Sequence, residues 1–263
     1  MKDFNCNKAF SRNIGFLAKE EQSILSKTSI AVAGAGGDGG LLSERLIRFG
    51  IGSIILADPE VFEIENSNRQ FAANSKTMGM NKAAAVGAEL ALINPSVGIR
   101  IFSEGINEVN IVEFVSSADV IIDEIEFTIP ELSVMLAREA RKQKKFLFTG
   151  ANVGWGASVF CFAPDGMTFE EHFCYDEASK TIDPLKYVKK VPCYFETEML
   201  QRVLSNEISI PTVSSSVGLV ASFVSMMIIL MLTKKKMPPI SPNFFHYDPV
   251  DSDLSLGVIY DHL

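Results

Sequence analysis

Five glycines stand close together near the start of the chain, directly after a run of apolar residues at 29–33. They are Gly34, Gly36, Gly37, Gly39 and Gly40. Glycine reaches backbone angles that other residues avoid, and it lets backbone N–H groups approach a phosphate or ribose at a helix N-terminus. A second apolar run, 54–57, ends in Asp58, whose carboxylate can accept hydrogen bonds from ribose hydroxyls. This order of strand, glycine turn, helix, strand and acid is typical of a nucleotide-binding α/β unit.

The glycine turn alone does not select the nucleotide. Residues 34–39 satisfy the pattern G-x-G-x-x-G, which fits a dehydrogenase, a flavoenzyme, an ATP-using enzyme or a tight turn without a ligand. Further polar residues follow the other apolar runs: Asn66, Asn68, Arg69, Gln70, Lys82, Asp123 and Glu126. A triphosphate needs cations to balance its charge and a carboxylate to hold Mg²⁺, whereas a nicotinamide site has little use for them. These residues therefore favour ATP.

The apolar runs that precede these polar residues alternate with helical patterns. We predict strands at 29–33, 51–58, 97–102, 119–123 and 145–149, and helices at 16–25, 81–92, 107–117 and 129–145. The glycine turn and its helix together occupy about 34–50. This order predicts an α/β fold with a doubly wound, mostly parallel, Rossmann-like sheet. Ligands of such sheets bind at the carboxyl ends of the strands, where the glycine turn and the polar residues lie.

The remainder of the chain has a different pattern. We expect a glycine-containing loop at 150–156, an antiparallel strand at 157–162 and short strands in the tail at 243–247 and 256–260. The polar stretch 164–211 has no clean period, so it is expected to be a lid, a crossover or a partner-binding insert. A helix is predicted at 214–233; its apolar part is shorter than the roughly 20 residues that cross a bilayer, so we expect a buried helix and no membrane association.

Composition narrows the class of protein. The chain has 263 residues, 47% of them hydrophobic, and a net charge of −8, which disfavours nucleic acid as a partner but leaves room for a local basic patch. The N-terminal residues contain no apolar signal segment, so a cytoplasmic location with reduced cysteines is expected. The four cysteines form no C-x-x-C pair, which excludes a tetra-cysteine zinc site.

Six short segments together resemble a known family. They are Arg12-Asn13, GAGGDG (34–39), ADPE (57–60), NSNRQF (66–71), GMNKA (79–83) and DVIIDEIE (119–126). In order and spacing they are similar to the ThiF/MoeB/HesA-type adenylyltransferase superfamily, whose fold is that of ubiquitin-activating enzymes. The resemblance covers about 10–165, and the helix at 214–233 stands where that family has its final core helix. It implies that ATP and Mg²⁺ activate a carboxylate as an acyl adenylate, with release of pyrophosphate.

The resemblance also implies roles for individual residues. The turn formed by Gly34, Gly36, Gly37 and Gly39 would lie under the nucleotide, Asp58 would hold the ribose, and Asn66, Arg69 and Lys82 would contact the phosphates. Arg12 would reach the phosphates of the neighbouring subunit in a homodimer. The chain would form a single adenylation domain, 1–263, with a nucleotide-binding core at 10–165, a crossover segment at 164–211, and a core helix and tail at 212–263.

One position departs from the family. The family usually places a magnesium-binding aspartate three residues after the acid that ends the fourth strand, and here Glu126 follows Asp123 at that spacing. A glutamate carboxylate lies one methylene further out. Either the metal is shifted, or Asp123 or Glu124 substitutes for the aspartate, or catalysis is impaired; we expect activity to be retained.

The cysteines of the crossover segment raise the question of a thioester. Many relatives pass the acyl group to a thiol there, and Cys174 and Cys193 both lie in 164–211. Neither stands in a recognisable motif, so an inert thiol is the preferred interpretation for each. Cys161, in an apolar strand, is expected in the core.

The sequence leaves the substrate open. We favour the carboxylate of a peptide or protein, at a C-terminus or a side chain, over that of a small molecule or a tRNA. A zinc-free enzyme similar to the tRNA threonylcarbamoyl-adenosine dehydratases is one alternative. A non-catalytic ATP-binding scaffold is another, raised by Glu126. A nicotinamide dehydrogenase would leave Arg69 and Lys82 without a role.

Overall fold

The computed structural model describes residues 4–205, 207–250 and 253–258. Within these residues one mixed sheet has the strand order β3-β2-β1-β4-β5-β6-β7-β8. Its strands are β1 Ser29–Ala33, β2 Ser53–Ala57, β3 Gly98–Phe102, β4 Val120–Asp123, β5 Phe146–Val153, β6 Gly156–Phe162, β7 Asn243–Asp248 and β8 Asp253–Val258. The first five are parallel to one another and the last three add as antiparallel neighbours. The predicted doubly wound, mostly parallel sheet with an antiparallel extension is confirmed.

The helices cover both faces of the sheet. They are α1 Cys6–Ala9, α2 Lys19–Leu25, α3 Gly37–Phe49, α4 Lys82–Ile93, α5 Ile111–Ser116, α6 Pro130–Lys142, α7 Phe169–Phe173, α8 Thr197–Leu204 and α9 Ser214–Leu232. Three-residue to five-residue 3-10 turns lie at Ser11–Asn13, Ile64–Asn68 and Pro184–Tyr187. Helices α3, α4 and α9 share one core, and α5, α6 and α7 share the other. Strand residues alternate between the two cores, as in β1, where Ile30 and Val32 face one and Ala31 faces the other.

The hairpin between β5 and β6 corrects the predicted loop at 150–156. Strand β5 continues past Thr149 to Val153, and β6 already begins at Gly156. Gly150 serves close packing within a strand, because a Cβ there would lie 2.3 Å from Cγ1 of Val220 on α9. A glycine that admits a neighbouring helix has the same sequence signature as a glycine in a loop.

Other boundaries also differ from the predictions. Helix α5 begins at Ile111, four residues later than predicted, and α6 ends at Lys142, three residues earlier. Helix α2 begins at Lys19, three residues later than predicted, and Phe16 before it is 91% exposed. The crossover segment contains α7, a 3-10 turn and α8. These elements have five, four and eight residues, so they are too short to give a long periodic pattern. Residues 259–260 of the predicted tail strand lie outside the described residues.

Helix α9 packs between α3 and the sheet. It packs along α3, β5 and β6, and Val220, Val224 and Ile228 on it are fully buried. Its length and composition would also suit a membrane-spanning helix. Core helices that are apolar on most sides pass the same test. In this structure α3 covers one side of α9, and the antiparallel β5–β6 hairpin covers another.

We predict that Ile228→Ala lowers the free energy of unfolding by about 2–5 kcal/mol, because it opens a cavity among α9, α3 and the sheet. The matched change Met226→Ala, on the exposed side of the same helix, should cost about 1 kcal/mol or less, since Met226 is 43% exposed. Urea unfolding followed by circular dichroism measures both. Equal losses would show that α9 is not packed in this way.

Candidate active site

The glycine turn is held tightly between two other loops at the carboxyl edge of the sheet. Gly34 has a φ of +94°, and its N–H donates to the carbonyl of Ala57 at 2.8 Å. A Cβ on Gly34 would lie 2.1 Å from the carbonyl oxygen of Glu124, and one on Gly39 would lie 1.9 Å from that of Gly34. Only glycine fits these two positions. The turn therefore brings the N-terminus of α3 against the loops that follow β2 and β4.

Asp58 joins the glycine turn to the loop after β2. Its Oδ2 accepts from the N–H of Ala35 at 2.7 Å, and its Oδ1 accepts from the N–H of Glu60 at 2.8 Å. The residue is 5% exposed, and burial raises the pKa of its carboxyl, an effect that these two N–H donors oppose. A carboxylate oxygen can accept more than one hydrogen bond. The oxygens of Asp58 can accept further hydrogen bonds, and the binding of ribose hydroxyls by this residue stays a prediction.

Lys82 is a buried cation next to Asp58. It is the first residue of α4 and is 6% exposed, and its ammonium forms an ion pair with Glu60. The Glu60 side chain is 60% exposed and can turn away into solvent. The preceding residue, Asn81, caps α4 and also donates from Nδ2 to the carbonyl of Asp58 at 2.8 Å. The ammonium is therefore fixed in place with a partner that is easily displaced.

The 3-10 turn at Ile64–Asn68 positions two more predicted residues. Asn66 is 9% exposed, and its Oδ1 accepts from the N–H of Glu63 at 3.0 Å, which leaves its amide N–H groups as donors. The guanidinium of Arg69 donates to Oδ1 of Asn68 at 2.8 Å. Its Cγ lies 3.8 Å from the position that a Cβ on Gly37 would take, so the arginine stem lies beside the glycine turn.

Three acids lie at the end of β4 and in the loop after it, and they have different surroundings. Asp123 is 2% exposed, its Oδ1 accepts from the N–H of Ile125 at 3.1 Å, and burial raises its pKa to about 6. Glu124 accepts from the N–H of Gly150 at 3.1 Å, and burial, then the nearby Asp38 and Asp123, raise its pKa well above the usual range. Glu126 is exposed. It is therefore the most exposed of these three acids.

The donor set suits ATP with Mg²⁺. Carboxylate oxygen is the ligand type that Mg²⁺ takes, usually one or two carboxylates together with phosphates and waters. Among the described residues, no group of three or more histidine, cysteine, aspartate and glutamate side chains converges as a metal cage. A cation here would therefore depend on oxygens of the nucleotide as well as on protein carboxylates.

Two residues of this site were missed by sequence reasoning. Asn152, near the end of β5, donates from Nδ2 to Oδ2 of Asp38 on the first turn of α3. Oδ1 of Asp38 is buried without a hydrogen-bond partner among the described residues. Burial raises the pKa of Asp38 to about 7; Arg69 lowers this pKa and Glu126 raises it further. An acid within the glycine pattern was a readable signal, whereas nothing in the sequence marks Asn152.

Arg12 lies away from the site of its own chain. The next residue, Asn13, donates from Nδ2 to Oε1 of Gln22 at 3.1 Å and to the carbonyl of Phe49 at 3.4 Å. Phe49 is the last residue of α3, whose 13 residues span about 20 Å from the glycine turn. Arg12 can therefore reach only a different site, which is compatible with the predicted role in a neighbouring subunit.

The cysteines of the crossover segment have separate locations. Cys174 and Cys193 are both exposed; Cys174 ends α7 with a φ of +52°. Cys193 precedes Tyr194, whose Oη accepts from the N–H of Trp155 at 2.8 Å and donates to Asp248 at 2.7 Å. Cys193 thus adjoins the tip of the β5–β6 hairpin. Cys161 is buried, which raises the pKa of its thiol and confirms the predicted core position.

Comparison with curated proteins finds relatives that share part of this chain. A tRNA threonylcarbamoyladenosine dehydratase of Bacillus subtilis is 41% identical over 86 residues, which is 33% of this chain and 34% of that protein. A probable molybdopterin-synthase adenylyltransferase of Porphyra purpurea is 33% identical over 104 residues, 40% of this chain and 27% of that protein. Ubiquitin-like modifier-activating enzyme 5 of Drosophila erecta is 38% identical over 94 residues, 36% and 23% of the two chains. The matched segments span about a third or less of these relatives.

Solved structures extend the likeness to nearly the whole chain at the level of fold. PaaA superposes with a TM-score of 0.73 and 18% identity, covering 98% of this chain and 76% of that one. E. coli MccB, solved with AMPCPP and MccA, has a TM-score of 0.72 and 17% identity, covering 98% and 73%. The family model described as the ThiF family matches residues 10–257. Since that match covers the glycine turn, every site residue described above and α9, the chain belongs to the ThiF family.

Proposed function

We propose that the protein is an ATP- and Mg²⁺-dependent adenylyltransferase that activates a carboxylate as an acyl adenylate. The observation that carries this proposal is the placement of a buried ammonium, Lys82, and a guanidinium, Arg69, around a glycine turn that Asp58 ties to the next strand. Membership of the ThiF family supports it. A nicotinamide cofactor would leave the two cations without a role, as the sequence already indicated.

The residues suit each part of that reaction. A carboxylate oxygen of the substrate would attack the α-phosphorus of ATP, and the bond from that phosphorus to the bridging oxygen would break to release pyrophosphate. Negative charge then grows on the leaving group, where Arg69 and Lys82 can counter it. Lys82 would exchange Glu60 for a phosphate oxygen. Glu126 is the exposed carboxylate that would hold Mg²⁺, which supplies further charge balance to the phosphates.

A peptide or protein carboxylate is the substrate that we favour. Relatives include activating enzymes for ubiquitin-like modifiers and the SAMP-activating enzyme E1 of Haloferax volcanii, and MccB has been solved with MccA. The 41% identity with the tRNA threonylcarbamoyladenosine dehydratase favours a second candidate, a carboxylate carried by tRNA. The net charge of −8 argues against a nucleic-acid substrate.

Exchange of labelled pyrophosphate into ATP tests the proposal. With the right carboxylate the wild type should catalyse exchange, and Arg69→Ala, Lys82→Ala and Asp58→Ala should each lose about 10²-fold or more, because each removes a group that contacts the nucleotide. Lys27→Ala is the matched control for Lys82→Ala. Lys27 is exposed and lies two residues before β1, at the opposite edge of the sheet, so its loss should leave exchange unchanged.

Two results would contradict the proposal. ATP binding without exchange, across peptides, carrier proteins, small acids and threonylcarbamoyl-tRNA, would point to a non-catalytic scaffold. If the purified protein binds NAD and not ATP, the proposal of an adenylyltransferase is wrong.

We also propose that the active form is a homodimer in which Arg12 completes the partner's site. Support comes from the distance of Arg12 from its own glycine turn and from its exposure on the 3-10 turn at Ser11–Asn13. Subunits related by a two-fold axis exchange such residues reciprocally, so each dimer would contain two composite sites.

Subunit mixing tests the role of Arg12. Arg12→Ala and Arg69→Ala should each be nearly inactive alone, because every site lacks one cation. In an equimolar mixture half of the dimers are mixed and each has one intact site, so activity should return to about a quarter of the wild type. Native mass spectrometry checks that mixed dimers form. Mixed dimers without recovery, or a fully active monomer, would disprove the role in trans.

A further inference from the structure

We propose that Asp38, the acid inside the glycine turn, is a second carboxylate ligand of the catalytic Mg²⁺, opposite Glu126. The cation would then be held between the first turn of α3 and the loop after β4. This inference rests on the proposed function, because it concerns the cation that accompanies ATP. It differs from the expectation drawn from the sequence, which placed the metal on the acids that follow β4 alone.

The hydrogen bonds of Asp38 leave one carboxylate oxygen without a partner. Asn152 holds Oδ2 in place, while Oδ1 is buried and has no hydrogen-bond partner among the described residues. An unsatisfied buried acceptor costs about 1–3 kcal/mol, and more when it is charged. Such a group in a native site calls for an explanation, and a bound ion is one of the common ones.

A second unpartnered oxygen lies at the same turn. Gln70 is 8% exposed, and its Oε1 is also buried without a partner in the described part of the chain. Its side-chain amide lies 3.6–3.8 Å from the position that a Cβ on Gly36 would take. Two buried acceptor oxygens without donors among the described residues therefore lie at the glycine turn, where we propose that the nucleotide binds. Acceptors without donors are suited to a cation or its bound waters.

The charges around Asp38 favour a cation once ATP is bound. Glu126 and Glu124, both in the loop after β4, repel it, and Arg69, in the loop after β2, attracts it. Arg69 also donates to the carbonyl of Glu65 and to Asn68, so it is shared. The triphosphate would add several negative charges next to these acids, more than the two nearby cations, Arg69 and Lys82, can balance. In a partly buried site, such a surplus of like charge is costly without a divalent cation.

Two carboxylates are the usual protein contribution for this metal. Mg²⁺ generally takes one or two carboxylates and completes six-fold coordination with phosphate oxygens and waters. Asp38 reaches from α3 with a short, fixed side chain, and Glu126 reaches from the facing loop with a longer, exposed one. The extra methylene of Glu126 then becomes a match to a cation shifted towards the glycine turn. The glutamate at position 126, where the family usually has aspartate, and the acid at position 38 would then act together to hold the shifted cation.

Mn²⁺ binding tests this inference without relying on turnover. The full chain is saturated with AMPCPP, Mn²⁺ is titrated, and electron paramagnetic resonance measures the free ion. Asp38→Asn, which keeps the shape and the hydrogen bond to Asn152, and Glu126→Gln should each weaken Mn²⁺ by at least about tenfold. Glu20→Gln is the matched control, because Glu20 is an exposed glutamate on the first turn of α2, in the segment that leads to the opposite, amino edge of the sheet. It should stay within about threefold of the wild type.

A further variant separates ligation from positioning. Asn152→Ala removes the support of Asp38 but no ligand, so its effect on Mn²⁺ should be clearly smaller than that of Asp38→Asn. Thermal melting and AMPCPP binding in EDTA establish that each variant is folded and holds nucleotide. If Asp38→Asn binds Mn²⁺ like the wild type, or if Asn152→Ala loses as much as Asp38→Asn, the ligand role of Asp38 is wrong while the adenylyltransferase proposal stands. A wild type that binds neither AMPCPP nor Mn²⁺ would overturn both.

Discussion

The hydrogen bonds to the buried carboxylate of Asp58 hold the site together. One oxygen takes the N–H of Ala35 in the glycine turn, and the other takes the N–H of Glu60 in the loop after β2. Glu60 in turn holds Lys82, and Asn81 bonds the carbonyl of Asp58 while capping α4. Two loops and the start of a helix are thus fixed relative to one another by a single acid. Asp58, which the sequence suggests for ribose binding, thus also helps to fix the position of the Lys82 ammonium.

Several acidic side chains are buried at this edge of the sheet with few cations beside them. Asp58, Asp123, Glu124 and Asp38 all have raised pKa values, and burial is the first cause in each case. Lys82 is buried with a partner that is mostly exposed to solvent. Holding charged groups out of water before the ligand arrives costs stability, and it gives strong interactions with a ligand of complementary charge. The sheet edge is therefore arranged for a charged nucleotide together with its cation.

Local patterns made much of this site predictable. Gly34 and Asp58 are separated by one βαβ unit, so their proximity follows from the right-handed crossover, and β4 is a wholly buried strand with the apolar run that such strands require. Long-range contacts were not predictable. The bond between Asn152 and Asp38 joins residues 114 apart, and β5 extends past Thr149 because β6 pairs with it and α9 approaches Gly150. No local pattern encodes either contact. The resemblance to a family supplied the roles of Arg69 and Lys82, which spacing alone could not.

The tryptophan at the tip of the β5–β6 hairpin gives the protein a fluorescent group next to the crossover segment. Trp155 is the only tryptophan in the chain, it is 47% exposed, and its backbone N–H is held by the hydroxyl of Tyr194 from the crossover segment. An indole at that boundary reports on its solvent contact, so its emission would shift when the crossover segment moves relative to the hairpin. Asn152 lies three residues before this tryptophan and bonds to Asp38, so the indole is connected through one strand to the proposed nucleotide site.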